Sequence, residues 1–454
     1  MEPRQVKTAA DARRIVKERG LSHVKVGVHD IDGILRGKYI HIDKFHSALD
    51  GGMGFCDVVL GWDANDQLYD NVTYTGWHTG YPDANVRLLP ETCREIATEP
   101  GNLLFLCEFV DRAEELCPRG LLRRVLARAA RMGFEVKVGF EYEFFVFAET
   151  AFSIREKGFK NLKPISPGFF GYSVLRNSVL SDFYRDLLAM CEAMDMGIEG
   201  LHTETGAGVL EAALRVNDAL PAADSAALFK LFTKVLAQKR DWLATFMAKW
   251  SKDWPGCGGH MHMSLWKGGK SAFYDEKAPH RMSTTMRHFV GGQQALMPEL
   301  LAMVAANVNS YRRLIPGFWA PTVSSWGVEN RTTSLRVIPG SSKSTRVEYR
   351  VAAADANPYL ALAAAVGSGL WGIENKVDPG EPIKGNSYDK RHPAKSQLPR
   401  TLMEAAGRLK ASKPARELFG DAFVDHYSAT RDWEEREFRK AITDWELERY
   451  MEII

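Results

Sequence analysis

Two glutamates, Glu141 and Glu143, stand two residues apart in the run GFEYEFFVF (139–147). On a strand, side chains at i and i+2 share a face, so both carboxylates point one way while Tyr142 and Phe144 point the other. Like charges side by side repel unless something positive lies between them. A solvated strand face carries such pairs too, but the apolar flanks read as a central strand, where an unpartnered carboxylate is costly. His260 and His262 repeat the spacing in HMHMSLW, behind the flexible PGCGG. Histidines paired on one strand face serve metals or phosphates, or stay buried as structural groups.

The segment HTETGAGVLE puts Glu204 and Glu211 at the two ends of a glycine-containing loop. Such a loop lets backbone approach a ligand closely, although a polar surface turn has the same composition. From NSYRRLIPG to RVEYRVAAADANPYL the chain holds Arg312, Arg313, Arg331, Arg336, Arg346 and Arg350, with Lys343 and Glu348. So many guanidinium groups need anionic partners if they are buried, and their planar fork suits phosphate and carboxylate. A solvated basic face is the alternative. Together the four groups point to hard cations held by oxygen ligands plus imidazole, facing arginines. That set fits magnesium with substrate phosphates better than a closed zinc site, which favours thiolates. No P-loop is present: the nearest match, ending Gly269-Lys270-Ser271, has Ser264 where its first glycine is required.

The elements that carry these groups divide the chain. Residues 7–19 read as a short amphipathic helix ending at Gly20, and Val24–Val28 and RGKYIHI as strands around an HDIDG turn. From about 55 to 110, short strands alternate with the turns GWDAND, TGYPDAN and TEPGN, giving a small β-rich domain over 1–113. CPRGLLRRVLARAARMG is a helix with Pro118 near its start and Gly133 at its end. Beyond it, 114–454 reads as α+β, one large and mostly antiparallel sheet backed by helices over SDFYRDLLAMCEAMDMG, AALFKLFTKVLAQKRDWLATFM and PYLALAAAVGSGLWGIENK.

Composition narrows the partners. Over 454 residues, 45% are hydrophobic and 26% charged, as in an ordinary globular protein. A net charge of +2 supplies no basic field for nucleic acid. No stretch reaches the roughly 18 apolar residues of a membrane span. The first twenty residues are charged throughout and lack the apolar core of a signal peptide, so a cytoplasmic location is expected. The six cysteines are scattered without a C-x-x-C pair, as expected of ordinary thiols in a reducing compartment.

Taken in order, G-x-E-x-E-x-F-x-F at 139–147, E-x-G-x-G-x-x-E at 204–211, the histidine strand through Ser264, NSYRRLIPG, ENRTTSLRV and RVEYR…ADANPYLALAA resemble the glutamine synthetase family, from about residue 24 to the carboxyl terminus. The resemblance implies a β-grasp amino-terminal domain and a catalytic domain that phosphorylates a carboxylate with ATP and joins it to an amine. It implies a homo-oligomeric ring, a hexamer or two stacked hexamers, with active sites between subunits. It implies two Mg²⁺ or Mn²⁺ ions: Glu143, Glu204 and Glu211 on the acceptor side, and Glu141, His260 and Glu348 at the nucleotide phosphates. Glu199, His262, Ser264, Arg336 and Lys343 match nucleotide contacts. Arg313, Arg331 and Arg350, with the backbone at Gly256, match positions that hold glutamate or the transferring phosphoryl group. Asp30 matches an aspartate given across the subunit interface to the amine site. Tyr388 matches a tyrosine that some bacterial members modify with a nucleotide, and reads otherwise as a plain loop tyrosine.

Three departures bear on the amine. Glutamine-forming members carry a glutamate inside P-G-x-E-A-P, where this chain has Pro316-Gly-Phe-Trp319-Ala-Pro321. Ala207 and Val209 stand where Pro and Gln are frequent, and Pro255 where an asparagine would meet the glutamate amino group. Losing that glutamate takes away a negative charge and a base, while Trp319 adds a flat platform worth about 0.5–2 kcal/mol to a cation or ring laid on it. An alkylammonium must still shed a proton, at about 4–5 kcal/mol near neutrality, with Asp30 the candidate to assist. An arylamine needs no such help. The expectation is a ligase making a γ-glutamyl amide from glutamate and a primary organic amine. Its rivals are a glutamine synthetase using ammonia and a catalytically silent scaffold.

Overall fold

The computed structural model describes residues 1–454 and has two sheets. The first contains β1 (His23–His29), β2 (Leu35–His41), β3 (Met53–Cys56), β4 (Asp83–Leu88), β5 (Arg94–Glu95) and β6 (Leu103–Phe109). Its order is β2-β1-β6-β4-β3, with β5 on β6; the central β1–β6 pair is parallel and its other pairs are antiparallel. With the helix Ile42–Gly51 packed across it, this is the sheet-rich β-grasp arrangement expected of the amino-terminal part.

Strand β6 is apolar on both faces because it serves two cores. Leu103, Phe105, Cys107 and Phe109 enter a cluster confined to residues 6–117, whereas Leu104 and Leu106 enter the main core of the chain. Glu108 shares the face of Leu104 and Leu106 and is fully buried. It is tolerated there because Arg119 (2.7 Å), Arg87 (2.9 Å) and Arg123 (2.9 Å) all bind its oxygens.

The second sheet contains β7 (Glu135–Phe147), β8 (Ile198–Thr203), β9 (Val209–Leu214), β10 (Asn217–Asp218), β11 (Leu243–Thr245), β12 (Gly259–Lys267), β13 (Lys270–Ser271), β14 (Trp326–Val328), β15 (Leu335–Ile338) and β16 (Arg346–Tyr349). Its main order is β14-β15-β16-β12-β7-β9-β8, antiparallel except at β14–β15. The period-two pattern of β7 decides which face does what. Phe140, Tyr142 and Phe144 pack under the helix Ala219–Gln238, Tyr142 stacking on Phe229 (6.2 Å) and Phe144 on Phe246 (5.2 Å). Glu141 and Glu143 are left on the opposite face.

Two stretches fold differently from the sequence reading. Residues 57–82 hold no strand; the loop is organised by Asp63, whose Oδ1 accepts the N–H groups of Asn65 and Gln67 (2.8 Å each), and by Thr75 bonded to Asp57 (2.7 Å). The helix expected to run from Ala226 through Met247 ends at Gln238, where Asp241 turns left-handed (φ 57°), and Leu243–Thr245 becomes β11 against β7.

Candidate active site

Strand register assembles the polar face. His260 lies opposite Glu141 across β12–β7, and His262 opposite Glu348 across β12–β16. Arg336 lies opposite Glu348 across β15–β16, Glu143 opposite Glu211 across β7–β9, and His202 opposite Glu211 across β8–β9. Residues separated by more than two hundred positions, such as Glu141 and Glu348, therefore share one surface. No local motif could do this alone.

The face floors a cavity of about 620 Å³ lined by Glu141, Glu143, Glu204, Glu211, Glu348, His202 and His260, by Arg313, Arg331, Arg336 and Arg350, and at its rim by Tyr172, Pro255, Gly256, Phe318 and Trp319. A neighbouring cavity of about 380 Å³ is lined by Glu199, His262, Ser264, Lys343, Lys137, Trp266 and Arg346, and the two share Glu141 as a wall. Every residue that the resemblance singled out, Asp30 and Tyr388 excepted, lines one of the two.

Glu141 is the hinge of the arrangement. His260 Nδ1 stands 3.3 Å from one of its oxygens and His262 Nε2 3.2 Å from the other. Arg346 Nε donates to His262 Nδ1 (3.2 Å), which leaves Nε2–H for the carboxylate. Burial opposes ionisation of Glu141, but the two imidazoles overcome it and hold its carboxyl far below the usual range. Glu348 is almost fully buried; Arg350 and Arg336 Nη1 (3.1 Å) bind it, and His260 Nδ1 is 3.5 Å away, so it too stays ionised. Arg313, on the short helix Ser310–Arg313, is anchored by donating to the carbonyls of Val351 (3.0 Å) and Arg350 (3.2 Å).

Across the cavity the balance reverses. Burial, then the charge of Glu143, raises the pKa of Glu204. Burial raises Glu211 to about 8, against the hydrogen bond from His202 and with the charges of Glu141, Glu143 and Glu204. Carboxylates that repel in this way are relieved by a cation. Two groups bring ligand atoms within 4.8 Å of one another: Glu141, His262 and Glu348, and His202, Glu204 and Glu211. Carboxylate oxygens with one imidazole each, and no thiolate, fit hard divalent ions such as magnesium or manganese. His202 was overlooked in the sequence, although it opens the HTETGAGVLE segment.

Glycine is required where backbone closes on this site. A Cβ on Gly256 would lie 2.2 Å from the carbonyl of Ala248 and 2.9 Å from Arg313 Cγ. On Gly258 it would lie 2.5 Å from His260 Nε2. The PGCGG segment is thus a tight fit between Arg313 and His260, and the Gly258 N–H donates to Glu143.

Asp30 must be corrected. It lines neither cavity, and its side chain is 2% exposed. Oδ1 accepts the N–H of Asp32 (3.0 Å) and of Ile34 (2.8 Å), and Oδ2 accepts Arg36 Nε (2.8 Å). Both of its oxygens are engaged within its own subunit, and the residue is buried there. It is a turn-closing group at the seam where Asn357 donates to the carbonyl of Ile31 (3.1 Å).

A two-sheet chain whose larger sheet presents carboxylates, imidazoles and arginines to paired cavities has the equipment of an ATP-dependent ligase that forms C–N bonds. Residues 115–450 match the glutamine synthetase catalytic domain, and the chain belongs to the glutamine synthetase family. It is 47% identical over 438 residues to type-1 glutamine synthetase 2 of Dictyostelium discoideum, covering 95% of this chain and 84% of that protein. It is 35% identical over 462 residues to a glutamate–isopropylamine ligase of a Pseudomonas species, covering all of both chains. The solved GmaS/ADP complex superposes with a TM-score of 0.84 at 25% identity, covering 97% of this chain and 99% of that one. No helix is long and apolar enough to cross a membrane.

Proposed function

We propose that this ligase joins the γ-carboxyl of glutamate to a primary organic amine through a γ-glutamyl phosphate. The observation that carries the reading is the rim: Trp319, 56% exposed, stands with Phe318 and Tyr172 around the larger cavity where an ammonia-using site needs an acidic group. Aromatic faces offer an organic substituent contact area and offer ammonia little.

In this reading Arg313, Arg331 and Arg350, with the backbone at Gly256, hold glutamate and spread charge on the transferring group. Glu199, His262, Ser264, Arg336 and Lys343 line the nucleotide side. Glu141, His260, His262 and Glu348 would hold one Mg²⁺ or Mn²⁺, and Glu143, His202, Glu204 and Glu211 the other. When bound, the ions neutralise charge on the phosphoryl group as it moves. The protein's own task is to fix donors where that charge develops and to keep water from the acyl phosphate. The domain boundary near residue 113, inside the turn Asp111–Glu115, belongs to the same reading. So does assembly into a ring of subunits, supported by the exposed Phe152, Phe159, Phe169 and Phe170. Light scattering on the purified protein tests the ring.

A second reading, ammonia as the amine, is favoured by the Dictyostelium relative. One experiment separates them: offer ammonia, alkylamines, diamines and arylamines with glutamate and ATP, follow phosphate release, and weigh the product by mass spectrometry. Higher kcat/KM with an organic amine supports the proposal. Highest kcat/KM with ammonia refutes it.

A further inference from the structure

Trp319 holds φ = 59°, a left-handed conformation that a bulky side chain adopts only where its surroundings impose it. Its indole is more than half exposed, so its own packing does not impose anything. Two side chains from elsewhere in the sequence grip the residues on either side of it.

On the Phe318 side is Lys249, a buried residue that lines neither cavity. Its Nζ donates to the carbonyl of Trp254 and stands 4.4 Å from the centroid of the Phe318 ring. Asn309 fixes Lys249 in turn, accepting its N–H and donating to its carbonyl at 2.8 Å each. On the Ala320 side is Tyr388, whose hydroxyl donates to the Ala320 carbonyl at 3.0 Å. Asn386 Oδ1 accepts the Tyr388 N–H (3.1 Å), so this grip also has a support of its own. Tyr388 lines neither cavity.

We propose that Lys249 and Tyr388 are positioning residues that clamp the Trp319 segment over the mouth, and that the clamp sets how often the acyl phosphate meets amine rather than water. The inference rests on the ligase reading above. In the unwanted reaction a water oxygen bonds to the γ-carbon and the bond from that carbon to the phosphate oxygen breaks. Glutamate and inorganic phosphate leave, and a proton passes to solvent. ATP is then spent without amide. A segment gripped at only one end swings more freely, loses its aromatic platform for part of the time and admits water.

The test compares the full-length wild type with Lys249→Met, Lys249→Arg and Tyr388→Phe. Phosphate release is measured with glutamate and ATP but no amine, and the ratio of phosphate to amide is measured with the amine the wild type prefers. Lys249→Met and Tyr388→Phe are expected to raise amine-free phosphate release and the amine KM by about 3- to 30-fold, the range that a lost cation–π contact or hydrogen bond gives. The KM for ATP stays unchanged. Lys249→Arg keeps a cation over Phe318 and restores coupling. A purely structural role lowers amide and phosphate together at constant ratio, and that result overturns the clamp. If Lys249→Met fails to fold, Tyr388→Phe decides, since it removes one oxygen. A wild type that makes no amide from any amine overturns the ligase reading itself; an active wild type whose variants stay coupled overturns only the clamp.

Discussion

His202 stands directly opposite Glu211 across the β8–β9 pair, its Nε2 3.2 Å from Glu211 Oε1. Its Nδ1 is 3.7 Å from Glu204, and the ring of Tyr172 stacks on it at 4.3 Å. An imidazole so placed either ligates a cation with the two glutamates or orients them for one. Replacing it by asparagine is expected to weaken Mn²⁺ binding by about 10- to 100-fold, the usual cost of losing a ligand or its support. Calorimetric titration of the full-length protein measures this. Unchanged Mn²⁺ affinity would remove His202 from the site.

Trp319 tests the amine. Trp319→Glu takes away the aromatic platform and returns a carboxylate to the mouth. The ratio of kcat/KM for an organic amine to that for ammonia is expected to fall by roughly 5- to 30-fold, as about 1–2 kcal/mol of platform contact implies. The same amine screen reads it. An unmoved ratio would mean that Trp319 only fills space.

How much of this was legible in sequence follows from how each residue is positioned. Glu141 with Glu143, and His260 with His262, announce themselves because the strand period leaves both members of each pair on one face. His202 does not. Its strand IEGLHT has no clean alternation, and the pairing slips by a residue between Ile198 and Gly200, so no spacing argument reaches the face that His202 occupies. Asp30 failed for a different reason. A motif match gives the residue type, but whether the carboxylate faces out or closes its own turn depends on Arg36 and on the backbone of Asp32 and Ile34. The missing strands over 57–82 have a third cause: Asp, Asn, Gly and Pro interrupt the apolar residues throughout, and polar caps win over pairing.

Acid sensitivity should come from two buried histidines away from the active site. Burial lowers His29 to about 4, Asp224 opposing and Arg119 adding to the effect. Burial likewise lowers His426 to about 4, although its Nε2–H donates to the carbonyl of Leu60 (2.9 Å). Between the unfolded value near 6.5 and the folded value near 4, the unfolded chain binds protons that the folded chain refuses. Stability is therefore complete above about pH 6.5 and is lost as the pH falls towards 4, by about 3 kcal/mol for each histidine. Urea midpoints at pH 7.5, 6 and 5 test the slope. His426→Gln, which keeps a donor for Leu60, is expected to flatten it, and an equal slope in the variant would exclude His426 as a source.

The last prediction separates contact from conformation at a glycine. Gly256 has no left-handed backbone to protect, so alanine there costs nothing in φ, yet its Cβ would meet the Ala248 carbonyl at 2.2 Å. Backbone on that side cannot swing aside as a flexible side chain would, so the loop must move, and with it the wall against Arg313. Gly256→Ala is expected to raise the KM for glutamate by more than about tenfold, because a displacement near 1 Å at a positioning wall costs that much or more. The KM for ATP should change little, since the second cavity takes no part of its lining from this loop. Gly269 is the control. Its φ is 75° and a Cβ there meets nothing, so Gly269→Ala carries a conformational cost of about 1–2 kcal/mol in stability but leaves both KM values alone. Equal effects of the two substitutions on glutamate KM would show that the loop answers to general destabilisation and not to the contact with Ala248.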